Sequence, residues 1–140
     1  MADDTNKNGT TEGEDENGFV LVSVYTRAEA LEDGALRDVT AQAKEAGISI
    51  PTAVTEAVWN QYVELTPAAE KARNNVEGRL WDIVWMFRCA AVRNPNEREL
   101  EFELYVVTDR IQPSRVKLKA ICGSGDDGEP VITLLLPDED

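Results

Sequence analysis

The sequence predicts an α+β domain in which helices pack on one face of a mostly antiparallel sheet. Apolar residues recur at a spacing of three and four through the middle of the chain, which is the period of an amphipathic helix. In the last third they alternate with polar residues, which is the period of a half-buried strand. A valine-rich segment near the N-terminus adds one strand before the helices. Strand, helices and then a run of strands is the order typical of this fold class.

The first strand is predicted over residues 19–25, and its apolar residues on both faces indicate an interior position. Thr26 and Glu29 then have the spacing of a capping box, which predicts a short helix that ends at Glu32. Gly34 is suited to the left-handed conformation that follows such a helix.

Further helices are predicted where apolar residues keep the helical spacing. The segments are Val39–Ala46, Thr52–Leu65, Ala68–Arg73 and Asn75–Arg93. Asp38 or Thr40 is expected to cap the first of them, and Pro51 fits the first turn of the second. The last is the main helix of the core, and Asn94-Pro95 ends it.

A three-strand meander is predicted over residues 99–136. Strands over 100–107 and 115–122 alternate between apolar and charged residues, and the turn between them makes a hairpin. Glu103 is expected opposite or diagonal to Lys117 or Lys119. The third strand, 131–136, is apolar on both faces.

The net charge of −13 belongs mainly to the two ends of the chain. Residues 1–17 carry six acids and one lysine with almost nothing to bury, which predicts a disordered acidic arm. Residues 18–137 are expected to form the single α+β domain, followed by an acidic tail at 138–140. Residues 123–140 contain six acids and no base. This charge favours basic partners and disfavours direct binding to nucleic acid.

The composition also narrows the function. The chain has no histidine, so Ser-His-Asp and Cys-His catalysis are excluded, and an enzyme is the less favoured class. We assign no catalytic residue and no organic cofactor. No apolar run is long enough to span a membrane, and the acidic N-terminus lacks the features of a signal peptide. A cytoplasmic protein is the expectation.

Several segments together resemble an uncharacterised family of small acidic bacterial proteins that are often carried on plasmids and other mobile elements. The resemblance covers about residues 19–140 and rests on the segments 25–34, 53–59, 78–86, 118–123, 126–133 and 136–140. It implies a bacterial cytosolic setting and no particular activity.

The densest polar cluster is the loop at 123–130, which contains Asp126, Asp127 and Glu129. Three carboxylates on a glycine-rich loop could bind Mg²⁺ or Ca²⁺, although the spacing is not that of an EF-hand. Alternatively, the Asp and Gly residues supply the turn between two strands. Both interpretations are open from the sequence.

Other charged residues are candidates for contact with a partner. Glu77, Arg79 and Asp82 flank the main helix, and the tail residues Asp138, Glu139 and Asp140 form either a docking peptide or a solvated end. A further alternative is that the tail is a group at the end of the last strand that meets Arg79 or Arg88. Tryptophans in the helical stripe are interpreted as core residues.

Three functional hypotheses follow. The first is a non-catalytic interaction module of a mobile element whose acidic ends bind a basic surface of a host nucleic-acid-binding protein, as a nucleic-acid mimic does. The second is a divalent-metal enzyme or sensor built on Asp126, Asp127 and Glu129. The third is a small regulatory subunit that dimerises through an open sheet edge.

Overall fold

The computed structural model describes residues 25–139. The chain divides into two units, residues 1–30 and residues 31–140. In chain order the elements are helix α1 (Arg27–Asp33), strand β1 (Leu36–Asp38), helix α2 (Thr40–Glu45), strand β2 (Thr52–Thr55), helix α3 (Glu56–Val58), a π-helical turn (Trp59–Val63), helix α4 (Pro67–Lys71), helix α5 (Val76–Arg93) and strands β3 (Glu99–Val106), β4 (Ser114–Ser124) and β5 (Pro130–Leu135). This is an α+β fold, as predicted.

In the first unit the structure describes residues 25–30, where the capping box is confirmed. The backbone N–H of Thr26 donates to the Glu29 carboxylate and that of Glu29 donates to the Thr26 hydroxyl, both at 3.0 Å. The strand predicted over 19–25 lies outside the described residues, except for Tyr25. Gly34 follows the helix with φ +88°, as the left-handed cap requires.

In the second unit the strands form one sheet in the order β1-β2-β5-β4-β3. The predicted meander is confirmed: β3 pairs antiparallel with β4, and β4 pairs antiparallel with β5. Glu103 lies directly opposite Lys117, in the expected register. One pairing in the sheet, β2 with β5, is parallel.

The helix predicted from Thr52 is wrong over its first four residues. Thr52–Thr55 is strand β2, buried between β1 and β5, and a helix begins only at Glu56. Threonine and valine favour a strand when both edges find partners, and this pairing outweighs the helical spacing of the segment. The following turn is π-helical, since the Glu64 N–H donates to the Trp59 carbonyl at 2.8 Å. Strand β1 was not predicted.

The core lies between the sheet and α5, which begins where predicted. The Asn75 side chain caps α5 by accepting from the Gly78 N–H at 2.6 Å. Phe102 of β3 contacts Phe87 of α5 with ring centroids 5.9 Å apart. The most buried members of this core include Ile83, Val84, Leu118 and Leu134. The even-numbered residues of β3 therefore face α5, and the odd-numbered residues lie on the other face of the sheet.

Candidate interaction site at the edge of the sheet

Strand β3 is at the end of the sheet, with its inner side paired to β4 along eight residues. The Cys122 N–H donates to the Arg98 carbonyl at 2.7 Å, so these two residues form a hydrogen-bonded pair. Such pairs alternate along an antiparallel ladder, so the even-numbered residues of β3 bond to β4. The N–H and C=O groups of Glu101, Glu103 and Tyr105 consequently point away from β4. Within residues 25–139, no strand pairs with this outward side, which we call the open edge.

Three exposed glutamates accompany the open edge: Glu99, Glu101 and Glu103, which we call the acidic stripe. Two of them make cross-strand ion pairs, Glu101 with Lys117 and Glu103 with Arg115, each at 3.6 Å. All four side chains in these pairs are about half exposed. Ion pairs of this kind contribute little to stability, so the stripe is not explained by the fold.

A groove runs between the open edge and α5, and we call it the edge groove. It consists of three adjoining depressions of about 150, 250 and 400 Å³. The first two share Asp82 and Tyr105, and the last two share Met86 and Glu103. Phe102, Leu104, Met86 and Ala90 supply apolar surface to the second and third depressions. The groove therefore offers apolar contact beside free backbone groups.

Trp85 gives the edge groove an exposed aromatic wall. Its side chain is 39% exposed, stacks on Trp81 with centroids 5.6 Å apart, and carries the Arg88 guanidinium 5.1 Å above its ring. The sequence interpretation of the tryptophans as core residues holds for Trp59 and Trp81, which are half-buried against the core. Trp85 departs from it, because its ring lies at the surface.

Arg79, a predicted contact residue, is instead a buried internal clamp. Its guanidinium donates to the Val63 carbonyl at 3.2 Å, the Val107 carbonyl at 2.8 Å and the Asn74 side chain at 3.0 Å. Burial lowers the pKa of Arg79 from its usual value, because desolvation disfavours the charged form. The side chain is only 5% exposed, so it is not available to a partner.

Asp82 and Glu77 remain at the surface. Asp82 lies one turn after Arg79 and lines two depressions of the edge groove. Desolvation there raises the pKa of its carboxyl above the usual value. Glu77 is exposed in the first turn of α5, outside the residues that line the edge groove.

The acidic loop between β4 and β5 closes on itself. The Gly125 N–H donates to the Glu129 carbonyl at 2.6 Å, and the Asp127 N–H donates to the Glu129 carboxylate at 3.0 Å. A side chain at Gly125 would overlap that carboxylate, and Gly128 has φ +81°. In the described part of the chain, no group of three histidine, cysteine or acidic side chains is placed to hold a metal ion. The loop therefore has the geometry of a turn between two strands, which is the second of the two interpretations of its sequence.

The C-terminal tail folds back onto the sheet through Glu139. The Glu139 carboxylate accepts from the Thr55 hydroxyl at 2.8 Å and from the Leu136 N–H at 2.7 Å. Its backbone carbonyl accepts from Lys119 Nζ at 2.6 Å. The expected contact with Arg79 or Arg88 is wrong for Glu139, because the hairpin brings Lys119 beside it. Asp138 is exposed, and Asp140 lies outside the described residues.

The structure does not gather the predicted contact residues into one site. The acidic loop and the tail lie at opposite ends of β5, whose six residues span about 20 Å. Arg79 and Asp82 are together, but only Asp82 is accessible. The acidic stripe was missed because alternation predicted an ordinary half-buried strand. The sequence pattern that could have predicted the stripe is the occurrence of glutamate at three alternate positions on the solvent-facing side of the strand, Glu99, Glu101 and Glu103.

No helix within the described range is long and apolar enough to cross a membrane. The family model of DUF6573, a family of unknown function, matches residues 16–140. No curated protein and no solved structure matches the chain.

Proposed function

The chain belongs to DUF6573, a family of unknown function, and we propose that it is a non-catalytic interaction module that binds a basic surface of a partner protein. One observation carries the proposal: the acidic stripe is exposed on the last strand of the sheet, where a partner reaches both its charges and the free backbone edge. The weak pairing of Glu101 and Glu103 to half-exposed bases leaves their carboxylates accessible.

Charge elsewhere in the chain adds to this attraction. Asp126, Asp127 and Asp138 are exposed, and the N-terminal segment 1–17 carries six further acids. A field of one sign speeds encounter with a partner of the opposite sign and weakens with salt. We therefore propose a bacterial nucleic-acid-binding protein as the partner, with the acidic side chains occupying its basic surface.

The other hypotheses receive less support. The Glu129 carboxylate accepts a hydrogen bond from the Asp127 N–H within its own loop, which disfavours the metal hypothesis. Pairing two copies through β3 in the registers that overlap most fully would place glutamates opposite glutamates, which is unfavourable. The shape and charge of the open edge thus favour a basic partner.

The test is capture of partners from a nuclease-treated bacterial lysate at about 50 mM and about 500 mM salt. Immobilised wild-type protein is compared with the triple variant E99Q/E101Q/E103Q. A matched control, E45Q/E64Q/E70Q, removes three exposed glutamates away from the edge groove. Both variants change the net charge equally, so a difference between them reports position.

We expect the wild type and the control to capture a basic nucleic-acid-binding protein at low salt and to release it at high salt. The stripe variant should retain less than about a tenth of it, since several charge contacts are lost. Equal capture by the stripe variant and the wild type, or capture indifferent to salt, would contradict the proposal. A version without residues 1–17 measures the contribution of the N-terminal acids.

A further inference from the structure

We propose that the open edge of β3 takes up an extended segment of the partner as a sixth strand, whose alternate side chains are basic and apolar. This mode of binding rests on the proposed function and specifies how the basic partner docks. Strand addition uses main-chain hydrogen bonds for affinity and alternate side-chain positions for specificity.

The first step of the argument is the backbone. Glu101, Glu103 and Tyr105 direct their N–H and C=O groups outward, while Phe102 and Leu104 bond to β4. An extended segment alongside would satisfy these outward groups and continue the ladder.

The second step is the pattern of side chains that the edge selects. Residues opposite each other in paired strands lie on the same face of the sheet. An added strand would therefore place one set of side chains beside the acidic stripe and the other set beside the edge groove. The stripe favours lysine or arginine, and the groove, with Met86, Ala90 and Leu104 along it, favours apolar residues.

The third step is that β3 already binds such a strand on its inner side. In β4, Arg115, Lys117 and Lys119 lie opposite Tyr105, Glu103 and Glu101, while Val116, Leu118 and Ala120 lie opposite the core residues of β3. The same glutamates are available from the open side. Strand β4 is thus the chain's own example of the chemistry that the open edge should accept.

A second copy of this chain fits the edge less well. In any antiparallel pairing of β3 with β3 of another copy, odd-numbered residues that expose backbone groups meet each other. In the registers that overlap most fully, glutamates of the stripe would lie directly opposite glutamates, and like charges directly opposite are destabilising. Charge complementarity selects a basic strand over a second copy.

The probe is a synthetic peptide with the sequence of residues 114–121, Ser-Arg-Val-Lys-Leu-Lys-Ala-Ile. The control peptide has the same composition, but its basic residues are grouped at one end. Binding to the full chain is measured by fluorescence anisotropy at about 50 mM salt. The second readout is amide hydrogen exchange of β3, resolved by residue.

We expect the alternating peptide to bind at least about tenfold more tightly than the grouped peptide, because only alternation serves both faces. Binding should protect the amides of Glu101, Glu103 and Tyr105, which have no partner strand within residues 25–139. The amides of Phe102 and Leu104 are protected with or without peptide, since they bond to β4.

Glu103→Pro removes one outward N–H without removing a bond to β4, and proline is tolerated on an edge strand. It should weaken peptide binding at least about tenfold, whereas Glu103→Gln, which keeps the N–H, should weaken it only about two- to fivefold. If Glu103→Pro does not fold, a peptide N-methylated at alternate residues is used with the wild-type chain. It tests in the same way whether binding needs main-chain hydrogen bonds to β3.

Equal binding of alternating and grouped peptides, or no new amide protection, would overturn strand addition. If the lysate partner is still captured through the acidic stripe, the proposed function stands and only this docking mode fails. If the stripe variant captures as much of the lysate partner as the wild type does, the proposed function itself fails.

Discussion

The two edge strands of the sheet, β1 and β3, differ in length and in how their outward sides are protected. At one end, β1 has only three residues, and the chain turns directly into α2 after it, with the Asp38 carboxylate accepting from the Thr40 hydroxyl at 2.6 Å. At the other end, β3 presents eight residues whose outward side has no partner strand in the described part of the chain. A short edge offers too little ladder to template another strand, whereas a long edge must be guarded by charge. The acidic stripe is suited to be such a guard, and the partner that we propose would carry the opposite charge.

The largest expected difference between the two ends is in stability. Phe102→Ala in β3 should lower the free energy of unfolding by about 3–5 kcal/mol, because it empties a site in the core beside Phe87. Leu36→Ala in β1, where the side chain is only half-buried, should cost about 1–2 kcal/mol. Urea unfolding of the two variants measures both values. Similar losses would mean that β1 is as integral to the fold as β3.

The next largest effect is expected for Arg79, which donates to the carbonyl of Val107, the residue that follows β3. Arg79→Met should cost about 2–4 kcal/mol, because the carbonyls of Val63 and Val107 lose their buried donor. Arg88→Met, whose guanidinium lies over the exposed ring of Trp85, should cost less than about 1 kcal/mol. Thermal unfolding of both variants measures how much stability each substitution removes. An Arg79→Met protein as stable as the wild type would show that the carbonyls find other partners.

A smaller effect is expected at the C-terminal tail, which docks on Thr55 of β2. Glu139→Ala should cost about 1–2 kcal/mol, since the Thr55 hydroxyl and the Leu136 N–H lose their acceptor. Asp138→Ala, one residue earlier and exposed, should change stability by less than about 0.5 kcal/mol. Chemical denaturation of the pair tests whether the tail is part of the fold. Equal values would contradict the docking.

The smallest effect is the pH response of the edge groove. The raised pKa of Asp82 means that the folded state disfavours its ionised form. The stability that the protonated Asp82 contributes is therefore complete below the pKa that Asp82 has in the unfolded chain. That contribution is lost as the pH rises through the pKa that Asp82 has in the folded chain. As the pH rises through and above the usual titration range of aspartate, the wild type should therefore lose stability relative to Asp82→Asn. The exposed side chain is screened by solvent, so the difference should stay below about 0.5 kcal/mol.

Unfolding curves of wild type and Asp82→Asn at several pH values measure that difference. A wild type that gains stability relative to the variant across this range would reverse the sign and contradict desolvation as the cause.

Local signals in the sequence were sufficient where short-range chemistry decides the structure. The capping box of Thr26 and Glu29 and the Glu103–Lys117 register follow from residue type and spacing alone. The family resemblance is confirmed over nearly the same range that the family model matches. The candidate site was not predicted, because an alternating strand looks the same in the middle of a sheet and at its end.

The α+β class, the main helix and the meander could be predicted from residue patterns alone, since hydrophobic period and caps act over a few residues. The strand at Thr52–Thr55, the burial of Arg79 and the docking of Glu139 could be known only once the chain had folded. Each depends on partners that are distant in the chain: β5 for the strand, Val107 for Arg79 and Thr55 for Glu139. The exposure of Glu101 and Glu103 beside an open edge depends likewise on the order of all the strands.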